Sequence, residues 1–218
     1  MLQQLALRSG SVLSFVEYGD PRGYPVLIQH GLIASIKDFG YFNLLIEQGA
    51  RVICMARPGY GASSPVELPN IGGWGSLAAL LVEHLGLRQF DVLGMSSGAP
   101  YAYAVAARMP GKTRRIFIFS GIPALYDEDI LKLWLYGSNQ DAEIPELQKL
   151  AYDLFFAPMP AAVLAQDDFQ DSLKNDCFGL AQDFKLRVRD WGFRLQELQM
   201  PVFMRHSRTD DSVPFAAA

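Results

Sequence analysis

Residues 90–98, Phe-Asp-Val-Leu-Gly-Met-Ser-Ser-Gly, put a serine where its hydroxyl could act as a nucleophile. A short apolar strand runs through Gly94-Met95-Ser96-Ser97-Gly98 directly into a helical stretch, Ala99 to Met109. Glycines two before and two after a serine permit a sharp strand-to-helix turn that exposes its hydroxyl at the strand tip. Ser97 is a rival within the motif, but the glycine spacing favours Ser96. A serine hydroxyl attacks an acyl carbon well only when a base takes its proton, normally a histidine. The chain has three, His30, His84 and His206, and none stands where that base is expected.

The elements that must position Ser96 alternate in type. Val12 to Glu17 alternates apolar and polar residues and closes at Tyr18-Gly19-Asp20-Pro21. Val26-Leu27-Ile28 is a continuous apolar run, as expected of a strand buried on both faces. Arg51 to Met55, Phe90 to Leu93, Ile116 to Phe119 and Val202 to Met204 have the same style. Helical patterns lie between them: Phe42 to Gln48, Gly75 to Leu85 and Ala99 to Met109. This alternation predicts an α/β fold with a mostly parallel central sheet flanked by helices. The first two strands, joined by Arg8-Ser9-Gly10-Ser11, read as a hairpin at an antiparallel edge. From Ile122 to Leu198 the rhythm turns helical, with breaks at Gly137-Ser138, Pro145, Pro158-Met159-Pro160 and Gly179. The expected division is therefore a core over 1–121, a helical cap insertion over 122–198 and a return to the core over 199–218.

Bulk properties narrow the function classes. A chain of 218 residues, half of them hydrophobic, buries roughly 70% of its unfolded surface and needs no metal or disulfide to fold. The net charge of −4, with no basic stripe, argues against nucleic acid as a partner. Cys54 and Cys177 have no metal-ligand spacing, Cys54 reads as a buried thiol, and such low usage fits a reducing compartment. No run approaches the roughly 20 apolar residues of a membrane span. The N-terminal residues, polar at Gln3, Gln4 and Arg8, form no secretory signal. The expected location is the cytoplasm, with no membrane partner, no metal and no cofactor.

Four motifs in order resemble the α/β-hydrolase fold family, of the esterase and lipase-like kind. They are His30-Gly31-Leu32, Arg57-Pro58-Gly59-Tyr60-Gly61-Ala62-Ser63, the Ser96 segment, and Pro201 to Pro214, with Asp210, Val213 and Pro214 in register. The resemblance spans nearly the whole chain and is weakest in the helical insertion. It implies Ser96 as nucleophile and Asp210 as the acid that orients the base, with neighbouring Asp211 as the competitor for that role. It implies an oxyanion hole made by the backbone N–H groups of Leu32 and Ser97. His30 and His206 fall at the family's structural positions, and His84 lies in a helix away from the turn. The Gly59/Gly61 pair lacks the rest of a nucleotide-binding motif and reads as a structural turn. Ala56, where the family often has Asp, and Ser207, where it has Gly, are departures; Ser207 could strain the turn before Asp210.

In this fold the order is serine, acid, histidine, so the base is expected after Asp210, whereas the sequence ends at Ala218. The resemblance thus implies a C-terminally incomplete fold that lacks one strand, the histidine loop and a closing helix. A fragment, a truncated gene and a neighbouring chain that supplies these parts all fit. An uncovered strand at Val202 would offer its edge to a second copy, a route to a homodimer. The leading expectation is a serine hydrolase acting on a small apolar carboxylic ester. Trp134, Leu135, Tyr136, Phe155 and Phe156 are candidates to line its site or to fill the core of the cap. A non-catalytic pocket protein that binds a small molecule is the alternative, and a purely structural role is the third. Serine at position 96 argues against a dehalogenase-like enzyme, which needs Asp there, and the scattered histidines match no zinc spacing.

Overall fold

The apolar runs of the sequence become strands β1 (Gln3–Ala6), β2 (Val12–Gly19), β3 (Tyr24–Gln29), β4 (Ala50–Met55), β5 (Phe90–Met95), β6 (Thr113–Phe119) and β7 (Val202–Arg205). A computed structural model describes residues 1–38, 40–134 and 141–217 of the chain. Among these residues the strands form one sheet in the order β1-β2-β4-β3-β5-β6-β7. From β4 to β7 every pairing is parallel, whereas β1 and β2 pair antiparallel at one edge and β2 joins β4 antiparallel. The mostly parallel sheet expected from the alternation of elements is therefore present. At the opposite edge, β7 leaves Val202, Phe203 and Met204 exposed.

Helices α1 (Asn43–Glu47), α2 (Ile71–His84) and α3 (Ala99–Arg108) connect the strands. α2 begins earlier than the Gly75 start read from periodicity. The Asn70 side chain accepts the Gly73 N–H and caps the helix, so the glycines after it can be helical. Gly75 has a packing role: a Cβ there would lie 2.5 Å from the Ala104 carbonyl oxygen of α3.

Between β6 and β7 the described residues form α4 (Glu128–Leu131), α5 (Ile144–Phe155), α6 (Ala161–Leu164), α7 (Asp167–Ser172) and α8 (Lys174–Arg187). Two of the breaks expected here are absent. Pro145 occupies the first turn of α5, where its missing N–H costs nothing. Gly179 lies inside α8 because a Cβ would come within 2.4 Å of the Tyr60 ring. The break at Pro158-Met159-Pro160 does separate α5 from α6, and Gly137-Ser138 lies outside the described residues. The backbone interruption in α8 falls instead at Asn175, Asp176 and Cys177, all at positive φ. Leu147, Ala151, Leu180 and Phe184 from these helices share one buried cluster with Ile28, Val52 and Cys54 of the sheet.

A buried ion pair ties α8 to the loops at the C-terminal ends of β3 and β4. Arg57, which follows β4, donates from Nε and Nη2 to the two carboxylate oxygens of Asp183, at 3.3 and 2.7 Å. Its Nη1 and Nη2 also donate to the carbonyls of His30 and Gly31, at 2.5 and 2.8 Å. Asp183 in turn accepts the hydroxyls of Tyr60 and Tyr101, at 3.0 and 2.6 Å. The guanidinium carbon lies 4.5 Å from the Tyr101 ring centroid. Burial works against the Arg57 charge, yet Asp183 outweighs it and holds the group above the ordinary arginine value.

The strand-to-helix turn after β5 uses its glycines differently from the expectation. Gly94 and Gly98 do not have positive φ; Ser96 does, at 50°. The glycines supply room. A Cβ on Gly98 would sit 2.1 Å from the Gln29 carbonyl oxygen, and one on Gly94 would sit 2.9 Å from the Ala102 Cβ.

Two outcomes are expected. Asp183→Asn, which leaves the Arg57 charge buried without its counter-ion, should lower stability by about 3–5 kcal/mol, read as a lower urea midpoint at unchanged slope. Gly98→Ala should cost about 3 kcal/mol or more, because backbone must move away from the new methyl group. Thermal unfolding of the variant at or near the parent temperature would contradict this.

Candidate active site

Ser96, the first residue after β5, has a conformation that non-glycine residues seldom adopt, and its carbonyl accepts the Ile122 N–H at 3.1 Å. Strain of this kind persists only where the surroundings impose it, here the β5 ladder below and the packed start of α3 above. The His30-Gly31-Leu32 loop passes beside it, so close that a Cβ on Gly31 would lie 3.8 Å from the Ser96 Cβ. Arg57 holds that loop by two of its carbonyls, those of His30 and Gly31.

Ser96, Ser97, Gly31 and Leu32 line one cavity of about 670 Å3. Its other walls come from Ile122, Trp134, α5 (Leu150, Leu154, Phe155), the end of α8 (Phe184, Arg187) and Ser212-Val213. Of the candidates to line a site or fill the core of the cap, Trp134 and Phe155 line this cavity. Phe156 is buried in the cluster under α8, and Leu135 and Tyr136 lie outside the described residues.

Asp210 stands one layer back from the cavity. Its Oδ1 accepts the N–H groups of Ser212 and Val213, at 3.0 and 2.9 Å, and these two residues form that part of the wall. The Val213 N–H, helped by Ser120 and His206, keeps the Asp210 carboxyl below the ordinary carboxylate range. Asp211 is exposed. Ser207 is not at positive φ, and its hydroxyl accepts the Thr209 N–H at 3.2 Å, so the strain foreseen at this turn is absent. At Ala56 the local network is made by backbone: its N–H bonds to Ser14 and its carbonyl accepts the Ser63 hydroxyl.

The three histidines are engaged or distant. His30 is buried, accepts the Arg57 N–H at Nε2 (3.1 Å) and bonds the Gly31 carbonyl through Nδ1 (2.9 Å). Burial, then the Arg57 charge, pushes it well below the ordinary histidine value, so it stays neutral. His206 donates from Nε2 to the Val213 carbonyl at 2.8 Å and lies 3.5 Å from Asp210. His84 is exposed at the end of α2 and meets the Phe15 ring edge-on. The structure thus brings Ser96, Ser97 and Leu32 to one cavity with Asp210 behind its wall, and no histidine lines it.

Two charged residues of this region escape motif reading. Asp183 and Arg187 both lie on α8, in a stretch whose polar residues alternate with Phe184 and Leu186 and resemble an ordinary solvated helix face. Among the described residues, no group of three or more His, Cys, Asp or Glu is placed to hold a metal ion. No described helix is long and apolar enough to cross a membrane.

Comparison with known proteins agrees with the sheet and its connections. The family described as the alpha/beta hydrolase family matches residues 26–218. A non-heme haloperoxidase of Rhodococcus erythropolis is 24% identical over 225 residues, covering 95% of this chain and 81% of that protein. An uncharacterized hydrolase of Bacillus subtilis is 27% identical over 127 residues, covering 58% of this chain and 42% of that protein. Among solved structures, an esterase from Exiguobacterium antarcticum superposes with a TM-score of 0.75 at 21% identity, covering 99% of this chain and 84% of that one. On sequence match and fold together, the chain belongs to the alpha/beta hydrolase family.

Proposed function

We propose that the chain is a serine hydrolase that cleaves a small, largely apolar carboxylic ester through an acyl-enzyme at Ser96. The observation that carries this reading is Ser96 itself, at positive φ on a strand tip, in the wall of a cavity shared with Leu32 and Ser97. Ser96 Oγ attacks the ester carbonyl carbon while its proton passes to a base. The charge that develops on the carbonyl oxygen is met by the Leu32 and Ser97 N–H groups, each worth roughly 3–4 kcal/mol in such sites. Collapse of the intermediate breaks the ester C–O bond, the leaving alcohol takes the proton, and water then releases the acid from Ser96. Asp210 orients the base and stabilises its protonated form. In this reading the base is a histidine other than His30, His84 and His206, because the first spends its free nitrogen on Arg57 and the others do not line the cavity. Substrate enters as a free small molecule.

The commitments of the three histidines also favour a second reading, a pocket protein that binds its ligand without turning it over. The mildly apolar cavity and the ordered Ser96 loop would serve either protein. A fluorophosphonate probe separates them. In a protein that carries the base, the hydrolase reading expects rapid labelling and hydrolysis of p-nitrophenyl butyrate, with both lost in Ser96→Ala. Hydrolysis that survives Ser96→Ala would sink it, and an inert Ser96 in a chain stabilised thermally by small esters would favour the binder.

A further inference from the structure

The cavity wall that faces Ser96 carries one formal charge, and that charge lacks an ion-pair partner. Among the described lining residues only Arg187 is charged at neutral pH; the rest are apolar, glycine or serine. The Arg187 side chain leaves the last turn of α8 between two aromatic rings, with its guanidinium carbon 4.5 Å from the Phe184 centroid and 5.7 Å from that of Trp134. Its Nε is buried and makes no hydrogen bond. Such a buried donor costs free energy unless something else satisfies it.

Nearby carboxylates do not meet that need. Asp183, one turn earlier on α8, attracts Arg187 most strongly, but its oxygens already accept from Arg57, Tyr60 and Tyr101. Two guanidinium groups therefore share one carboxylate, and the cluster keeps a net positive charge. The two arginines respond oppositely to burial. Arg57 rises above its ordinary value beside Asp183, whereas Arg187 falls to about 10 because desolvation outweighs what Asp183 and Tyr101 return. Lys185 turns away from this region to Glu67 and Glu143.

We propose that Arg187 is the anion-recognition residue of the Ser96 cavity, so that the ligand is a small, mostly apolar molecule bearing a carboxylate that pairs with this guanidinium. A carboxylate fits better than a phosphate ester. One cation neutralises a monoanion, whereas a dianion would leave an uncompensated charge against apolar walls. The planar guanidinium, held between two rings, also suits the two oxygens of a carboxylate. For the hydrolase, the substrate class becomes half-esters and related acids, in which a carboxylate at one end anchors the molecule while the acyl carbon meets Ser96. This refinement rests on the assignment of Ser96 as the reacting group, but the anion site itself does not.

Binding to the Ser96→Ala chain tests the site apart from turnover. Calorimetric titrations would compare the monomethyl esters of succinic, glutaric, adipic and suberic acids with their neutral dimethyl esters. At least one half-ester should bind about tenfold or more tighter than its diester. Arg187→Gln should abolish the preference, and Arg187→Lys should retain part of it. Because Arg187 lacks an ion-pair partner, Arg187→Met should leave thermal stability unchanged or raised. Equal binding of acid and diester, a preference that survives Arg187→Gln, or a large loss of stability in Arg187→Met would overturn the proposal. An unreactive Ser96 in a protein that carries the base, together with Arg187-dependent binding, would remove the hydrolase reading and keep the anion site.

Discussion

Arg57 is the group on which the rest of the site depends. A guanidinium can donate in several directions within one plane, and here the directions are divided between two parts of the chain. Part goes to the His30 and Gly31 carbonyls, which fixes the loop beside Ser96. Part goes to Asp183, which fixes α8 and with it the outer wall of the cavity. Tyr60 and Tyr101 complete the shell, so the buried carboxylate has a donor for nearly every lone pair. A buried ion pair is weak evidence of stability in itself, since desolvation offsets much of the attraction. Its value here is geometric: two walls of one cavity are referred to the same few atoms.

The contrast between Arg57 and Arg187 follows from the same principle. Arg57 is fully buried and faces a fully engaged carboxylate, whereas Arg187 is half-buried and faces a cavity. Low dielectric strengthens whatever charge interaction is completed there and penalises whatever is left incomplete. Among the described residues the polarity of the cavity is thus concentrated in the serines Ser96, Ser97 and Ser212 and the guanidinium on α8, with apolar side chains making up the remaining walls.

Local signals made the sheet and the serine legible in the sequence. β3 and β4 are buried on both faces over most of their length, so they read as continuous apolar runs, and the Ser96 turn is contained within a few residues. What stayed hidden was long-range. The partner of Arg57 lies 126 residues away and sits in a helix whose charges look solvated in one dimension. Gly179 reads as a helix breaker because nothing local announces the Tyr60 ring that forbids a side chain there. The elbow glycines suggest backbone freedom in one dimension, whereas their neighbours demand the absence of a Cβ. The start of α2 is hidden in the sequence because one capping asparagine outweighs two glycines of poor helix propensity.

The shared anchor also limits how such a protein can diversify. Of helices α4 to α7, α7 bonds the loop that continues from Leu32, through Asp171 to Ser35 and Ser172 to Ala34. By contrast, α5 lines the cavity and contributes no group to the Arg57 cluster, so substitutions on its cavity face reshape the site without touching that anchor. The single turn of α8 from Asp183 to Arg187 lacks that freedom at its first residue and has it at its last. New ligand preferences are therefore most accessible at position 187, one helical turn from a position where almost any change would move both walls at once.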